Sequence, residues 1–241
     1  MLHGFTESQQ IWTNFSKVLS SEFRIITIDL PGHGESECID EIHTMELMAD
    51  VVYSVLCHCN VKKCIMIGHS MGGYVTLSFS GKYPEMLNGF GIFHSHCFAD
   101  SQSDKDNRDR TINVVKQDKF SFMSQFIPGL FPEEVRGKFI DEIEGLINDA
   151  GKMSKEGVIA SLEGMKVRKD QTGLLRTTVL PVLFILGLRD SKAPLDRLWD
   201  MITLPANSES LILRDVGHMG YIEAPNETVK AIRHFALKHI S

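Results

Sequence analysis

The chain has 241 residues, 43% of them hydrophobic, and carries a formal net charge of −6 with a pI near 5.9. That length suits one α/β core burying about 70–75% of the unfolded surface. The acidic balance excludes a nucleic-acid face, because the densest positive run, Lys166 to Lys169, is short enough to be an ordinary solvated surface.

Taken in chain order, Ile11, Trp12, Phe15, Val18 and Leu19 share one helical face, and Phe23 to Ile28 then forms a β-branched run that stops at Asp29-Leu30-Pro31-Gly32. The pairing repeats with Leu47, Met48, Val51, Val52, Val55 and Leu56 on a helix, followed by the run Cys64 to Ile67. Cys57-His58-Cys59 invites a metal reading, but residues two apart on a helix point about 200° apart and no second ligand pair follows, so no metal is expected. An odd total of five cysteines, with Cys64 on a predicted buried strand, argues against a disulfide framework and for a reducing, cytoplasmic setting.

After Cys64 to Ile67 comes Gly68-His69-Ser70-Met71-Gly72-Gly73, then a helical run closed by Lys82-Tyr83-Pro84 and a strand from Leu87 to Phe93. A strand that turns sharply into a helix strains its turn residue, and the neighbours two positions away must lack a Cβ. Gly68 and Gly72 meet that demand, so Ser70 is lifted clear of the sheet while the helix beginning at Met71 points free N–H groups at the same place. The bare G-x-S-x-G pattern arises by chance in roughly one in ten chains of this length. The preceding strand and following helix are what give it weight.

Between Cys97 and Thr178 the alternation fails. This insertion opens with the charged stretch Asp100 to Arg110, continues through Phe120, Phe122, Met123, Phe126, Ile127, Leu130 and Phe131, and shows helical runs around Phe139 to Ile147 and Val158 to Met165. It is expected to form a helical cap (residues 97–178) over a core of residues 1–96 and 179–241, excluding water and supplying an apolar pocket. Alternation resumes with Val182 to Leu186, a helix around Leu195 to Ile202, Leu211 to Leu213, and a last helix bearing Val229, Ile232, Phe235 and Ala236. The longest apolar run, Leu180 to Leu188, is interrupted by Pro181 and Gly187 and falls short of the ~18 residues of a membrane span. The whole series predicts an α/β fold with a mostly parallel sheet covered on both faces and a site beyond the strands' carboxyl ends.

A serine nucleophile needs a base, a group that orients the base, and donors for the developing oxyanion. His218 follows the run Leu211 to Leu213 and could take the Ser70 proton; Asp190 follows Val182 to Leu186 and could hold the His218 tautomer. Asp215, three residues from His218, is a poorer acid. His33, His69, His94 and His96 read as loop or strand-end residues, with His94 and Ser95 placed to line the pocket.

The order Ser, Asp, His, the elbow and the alternation resemble the α/β-hydrolase superfamily over nearly the whole chain. Leu2-His3-Gly4-Phe5 resembles its oxyanion loop, which implies that the Phe5 and Met71 N–H groups form the oxyanion hole. Asp29 to Ser36 resembles the loop after the next strand, Gly187-Leu188-Arg189-Asp190 with Pro194 the acid turn, and Gly217-His218 the histidine loop. The resemblance implies a serine hydrolase without a cofactor, cleaving a small apolar ester by way of an acyl-enzyme. The same triad serves C–C bond hydrolysis, lactone opening and perhydrolysis, and some relatives of this fold are catalytically quiet binding proteins.

In the family a full central strand and usually a hairpin precede the oxyanion loop, whereas here only Met1 and Leu2 precede His3. The N-terminal strands are therefore expected to be missing or truncated. A late start site, a truncated chain, or a strand borrowed from a second copy in a homodimer would each account for this, and Phe5 would be poorly anchored.

Overall fold

The computed structural model describes residues 1–193 and 195–240, with side chains throughout except at 195–197. Pro194, which the sequence aligned with the acid turn, lies outside the described residues.

A short 3-10 turn at Gln9–Trp12 leads into α1 (Thr13–Leu19), which buries Phe15 and Leu19 beside Trp12. α2 (Met45–His58) begins where the Thr44 hydroxyl accepts the Leu47 N–H; Met48, Val52 and Leu56 of the expected face are buried together with Met45 and Ala49, while Leu47, Val51 and Val55 are half-buried. β1 (Cys64–His69), α3 (Met71–Lys82) and β2 (Leu87–Phe93) follow. Next come five helices: α4 (Gln102–Gln117), α5 (Lys119–Phe126), α6 (Ile140–Lys152), α7 (Lys155–Lys166) and α8 (Thr172–Thr177). β3 (Val182–Gly187), α9 (Leu195–Ile202), β4 (Ser208–Leu213), the one-turn α10 (Gly220–Glu223) and α11 (Pro225–His239) complete the chain.

The sheet runs β1-β2-β3-β4 and every pairing is parallel, with Ile67 opposite Gly91, Phe93 opposite Ile185 and Leu186 opposite Ile212. β3 is buried along its whole length and β2 nearly so, as expected of strands covered by helices on both faces. No helix among the described residues is long and apolar enough to cross a membrane.

One expected strand is absent. The run Phe23 to Ile28 joins the sheet only through Ile28, which bridges Leu2, and Leu2 also bridges Gly68. The Leu2 N–H donates to Ile67 O at 2.8 Å, the His69 N–H to Leu2 O at 3.0 Å, and the Met1 amine to Ile26 O at 2.6 Å. Elsewhere a cavity of about 620 Å³ separates residues 23–26 from β1, lined by Leu19, Phe23, Ile25, Val52, Leu56 and Ile232 among others. Neighbouring strands must lie about 4.8 Å apart to form a ladder, and across this cavity they do not. Leu2 thus links the segment that bears Phe5 to Ile28 on one side and to β1 on the other.

Candidate active site

Ser70 sits between β1 and α3 with φ 50° and ψ −117°, the strained geometry the elbow requires. A Cβ at Gly68 would overlap the Gly72 carbonyl, and one at Gly72 would reach within 2.5 Å of His3 O, so both glycines are demanded by close backbone approach. The Ser70 N–H is tied to Phe93 O at 2.9 Å, which fixes the elbow against β2.

Three strand ends converge here. His218 Nε2 lies 2.8 Å from Ser70 Oγ, and its Nδ1 lies 2.8 and 3.0 Å from the two Asp190 carboxylate oxygens. With Nδ1–H donating to Asp190, Nε2 is free to accept the Ser70 hydroxyl. Burial alone would raise the Asp190 pKa, but the His218 charge and hydrogen bonds from both His218 and His94 outweigh it and hold the carboxyl well below its usual range. The Lys192 N–H adds a further bond to the same carboxylate at 2.8 Å.

The expected pocket-lining pair is placed otherwise. His94 and Ser95 are both buried, and His94 stands behind the triad with Nδ1 3.1 Å from Asp190 Oδ2. Burial pushes the His94 pKa down to about 4, against the pull of Asp190, so the ring is neutral and donates Nδ1–H to the carboxylate. Its Nε2 has no partner among the described residues and is packed against Gly220. Ser95 is pressed against Gly73. It is His96, two residues beyond His94, that reaches the cavity. One ligand atom each from His94, Asp190 and His218 lie within 4.8 Å of one another, a spacing that suits a cation. The two imidazole nitrogens nearest Asp190 are, however, the ones that donate protons to it.

Ser70 and His218 open into a cavity of about 440 Å³. Phe5, Phe122, Phe126, Leu162 and Met165 make an apolar side, while Tyr74, His96, Asp100, Arg108 and Arg168 make a polar one. Both guanidinium groups pair with the Asp100 carboxylate, and Arg168 also lies 4.2 Å from the Tyr74 ring centroid. A wider cleft of about 1090 Å³ lies between residues 32–42 and 152–163, but its lining includes none of Ser70, Asp190 and His218.

On the oxyanion side, the Phe5 N–H donates to no group among the described residues. The Met71 N–H, at the first position of α3, has no carbonyl one turn back in the helix to reach. Gly4 brings the loop against Ser70, since a Cβ there would lie 3.0 Å from Ser70 Cβ.

Sequence reading missed Glu7. Its carboxylate is buried and receives the Gly4 N–H at 2.5 Å, a His69 Nδ1–H at 2.9 Å and the Tyr221 hydroxyl at 3.0 Å. The other His69 nitrogen lies 2.9 Å from the His218 carbonyl. Burial disfavours charge on His69, yet Glu7 and the His218 carbonyl outweigh it and raise its pKa, and each ring nitrogen faces an acceptor oxygen. Glu7 is correspondingly held below its ordinary value despite burial. An acidic residue three positions past Gly4, between buried Phe5 and Trp12, was the available signal.

A family profile described as the alpha/beta hydrolase fold matches residues 1–91. Among solved structures, a thermophilic esterase from Thermogutta terrifontis with malate bound is 32% identical, covers 100% of this chain and 89% of its own, and superposes with a TM-score of 0.94. A pimeloyl-[acyl-carrier protein] methyl ester esterase of Wigglesworthia glossinidia brevipalpis is 25% identical over 98% of this chain and 92% of that protein. The dihydrolipoyllysine-residue acetyltransferase component of the acetoin cleaving system of Pseudomonas putida is 24% identical over 99% of this chain, which spans 63% of that protein's length.

Proposed function

The chain belongs to the α/β-hydrolase superfamily, and we propose that within it the protein is a serine esterase that acts through an acyl-enzyme. The observation that carries this reading is the continuous hydrogen-bonded path from Ser70 through His218 to Asp190, with links of 2.8 Å on each side of the imidazole. Likeness to esterases over the full chain supports it.

Ser70 Oγ attacks the ester carbonyl as His218 Nε2 takes its proton, and the carbonyl electron pair moves to oxygen. The Phe5 and Met71 N–H groups hold that oxyanion. As it collapses, the C–O bond to the alcohol breaks and His218 returns the proton to the leaving oxygen. Water, deprotonated by the same imidazole, then attacks the acyl-Ser70 carbonyl and releases the acid. Asp190 keeps the imidazole in the right tautomer and stabilises it while protonated. No cofactor is needed for these steps. Residues 97–178 act as the cap, and its Phe122, Phe126, Leu162 and Met165 favour an ester with an apolar acyl or alcohol group.

The test is turnover of p-nitrophenyl esters of rising chain length by the wild-type protein and Ser70→Ala, with mass spectrometry of Ser70 after fluorophosphonate treatment. One phosphonyl group on Ser70 and a loss of at least 10³-fold in Ser70→Ala are expected. Unchanged turnover in the variant would remove Ser70 from the mechanism. An inert, unlabelled Ser70 in folded protein would make the chain a binding protein instead.

A further inference from the structure

We infer that Glu7, with His69 and Tyr221, is the positioning residue of this site: a buried carboxylate that sets the oxyanion loop in place and ties it to the loops of the nucleophile and the base. The inference rests on the esterase reading and adds to it a group that never touches substrate.

The need for such an anchor follows from the fold. The loop bearing Phe5 is joined to the sheet through the Leu2 bridges, while residues 23–26 form no ladder with β1. Donors for an oxyanion work only if they are already in place, and a displacement of about 1 Å costs on the order of a hundredfold in rate. Glu7 fixes the loop directly. Its Oε2 accepts the N–H of Gly4, the residue before Phe5, and its own N–H donates back to Gly4 O at 3.3 Å, closing a tight turn around the donor. On the opposite side, His3 Nδ1 lies 2.8 Å from Gly4 O and its Nε2 accepts the Leu30 N–H at 3.0 Å.

The same carboxylate reaches the rest of the machinery. Oε2 also accepts a hydrogen bond from His69, whose chain neighbour is Ser70, and His69 donates its second N–H to the His218 carbonyl. Oε1 takes the hydroxyl of Tyr221 on α10, three residues past His218. One buried carboxylate thus accepts a hydrogen bond from each of the three segments that carry Phe5, Ser70 and His218. Three donors converging on two oxygens require a group that only accepts. An amide of the same shape would aim its own N–H groups at one of them, so Glu7→Gln keeps the volume and removes the function.

The experiment compares wild-type protein and Glu7→Gln by thermal melting, by kcat and KM on a p-nitrophenyl ester, and by inhibition with two ligands of one shape. A trifluoromethyl ketone takes the Ser70 Oγ–carbon bond, sends its carbonyl electron pair to oxygen and leaves the Ser70 proton on His218, so its affinity reports the oxyanion site. The matching secondary alcohol forms no such bond and reports only pocket shape. Glu7→Gln is expected to lower kcat by about a hundredfold and ketone affinity in parallel, with KM and alcohol affinity within about threefold. Folded Glu7→Gln with kcat within threefold of wild type overturns the inference, and so does an equal loss for ketone and alcohol. Should Glu7→Gln not fold, Tyr221→Phe decides: a roughly fivefold loss of kcat and ketone affinity with alcohol binding intact supports the inference, and no change overturns it. A wild-type protein that neither hydrolyses esters nor binds the ketone refutes the esterase reading itself, which separates the two failures.

Discussion

Asp190 receives N–H groups from two imidazoles, and only one of them leads on to Ser70. His218 continues to Ser70, whereas His94 ends at a partnerless Nε2 against Gly220. In the proposed mechanism the His218 bond sets the tautomer on which proton transfer depends, so Asp190→Asn should cut kcat by about 10⁴-fold. The His94 bond only helps fix the carboxylate and its charge. Replacing His94 by Asn, which tolerates the φ of 47° at this position, should cost roughly tenfold in kcat with KM unchanged. Steady-state rates on one p-nitrophenyl ester measure both, and equal losses would show that His94 is as much part of the proton path as His218. Ser70, Asp190 and His218 could be read from the sequence because each follows an apolar run, and parallel strands deliver their ends to one edge. Glu7 and His94 could not be placed that way. Glu7 meets partners 62 and 214 residues away and His94 meets Asp190 across 96, and chain position does not say which side of the cavity wall a strand-end side chain takes.

Among the elements, β1 to β4 were legible as short β-branched or apolar runs between turn residues, and α2 and α11 as periodic apolar faces. Phe23 to Ile28 has the same composition but lacks a ladder, since strand formation depends on a neighbour that composition cannot supply. α4 was read only as a charged stretch because it buries just Ile112 and Val115; its start is set instead by the Ser101–Asp104 capping box. α7 shows how the inserted helices attach to the rest. The His43 N–H donates to Ala160 O at 2.9 Å, and a Cβ at Gly164 would overlap the His43 carbonyl. Gly-to-Ala in a helix ordinarily stabilises by up to about 1 kcal/mol. At Gly145, on α6 with nothing within 4 Å of a built Cβ, Gly145→Ala should follow that rule and raise Tm by about 2–4 °C. At Gly164 the backbone overlap must be relieved by moving α7 off residue 43, so Gly164→Ala should lose about 2 kcal/mol and lower Tm by about 4–8 °C. Differential scanning fluorimetry of the pair checks the argument through its opposite signs; two stabilised variants would mean that α7 is not pressed against that loop.

At the scale of the whole molecule, the alternation of runs pointed to a parallel sheet with a strand-end site, but not to the layer of buried imidazoles beneath it. His3 and His33 lie with ring centroids 5.0 Å apart and planes tilted by 50°, and His69 lies 5.2 Å from His218 and 6.2 Å from His94. Burial lowers the His33 pKa to about 3 and the His94 pKa to about 4, and lowers that of His3 as well, from an ordinary 6.5. These rings stay neutral in the native state while the unfolded chain protonates them below about pH 6.5, and stability falls wherever the unfolded state binds more protons. Each of His33 and His94 therefore removes about 1.4 kcal/mol per pH unit between pH 6.5 and its own folded pKa, or about 4 kcal/mol together by pH 5. His69 runs the other way: its raised pKa contributes stability that is whole below pH 6.5 and is lost as pH rises through the folded value. Asp190 and Glu7, held below their ordinary values, contribute fully above about pH 4 and lose that contribution only in stronger acid. The imidazoles thus dominate the window from pH 6.5 to 4. Urea melts at pH 7, 6 and 5 should show a steady fall in unfolding free energy, and His33→Phe should reduce the slope by about one proton. A flat profile over that window would mean that the imidazoles are hydrated in solution and titrate near 6.5.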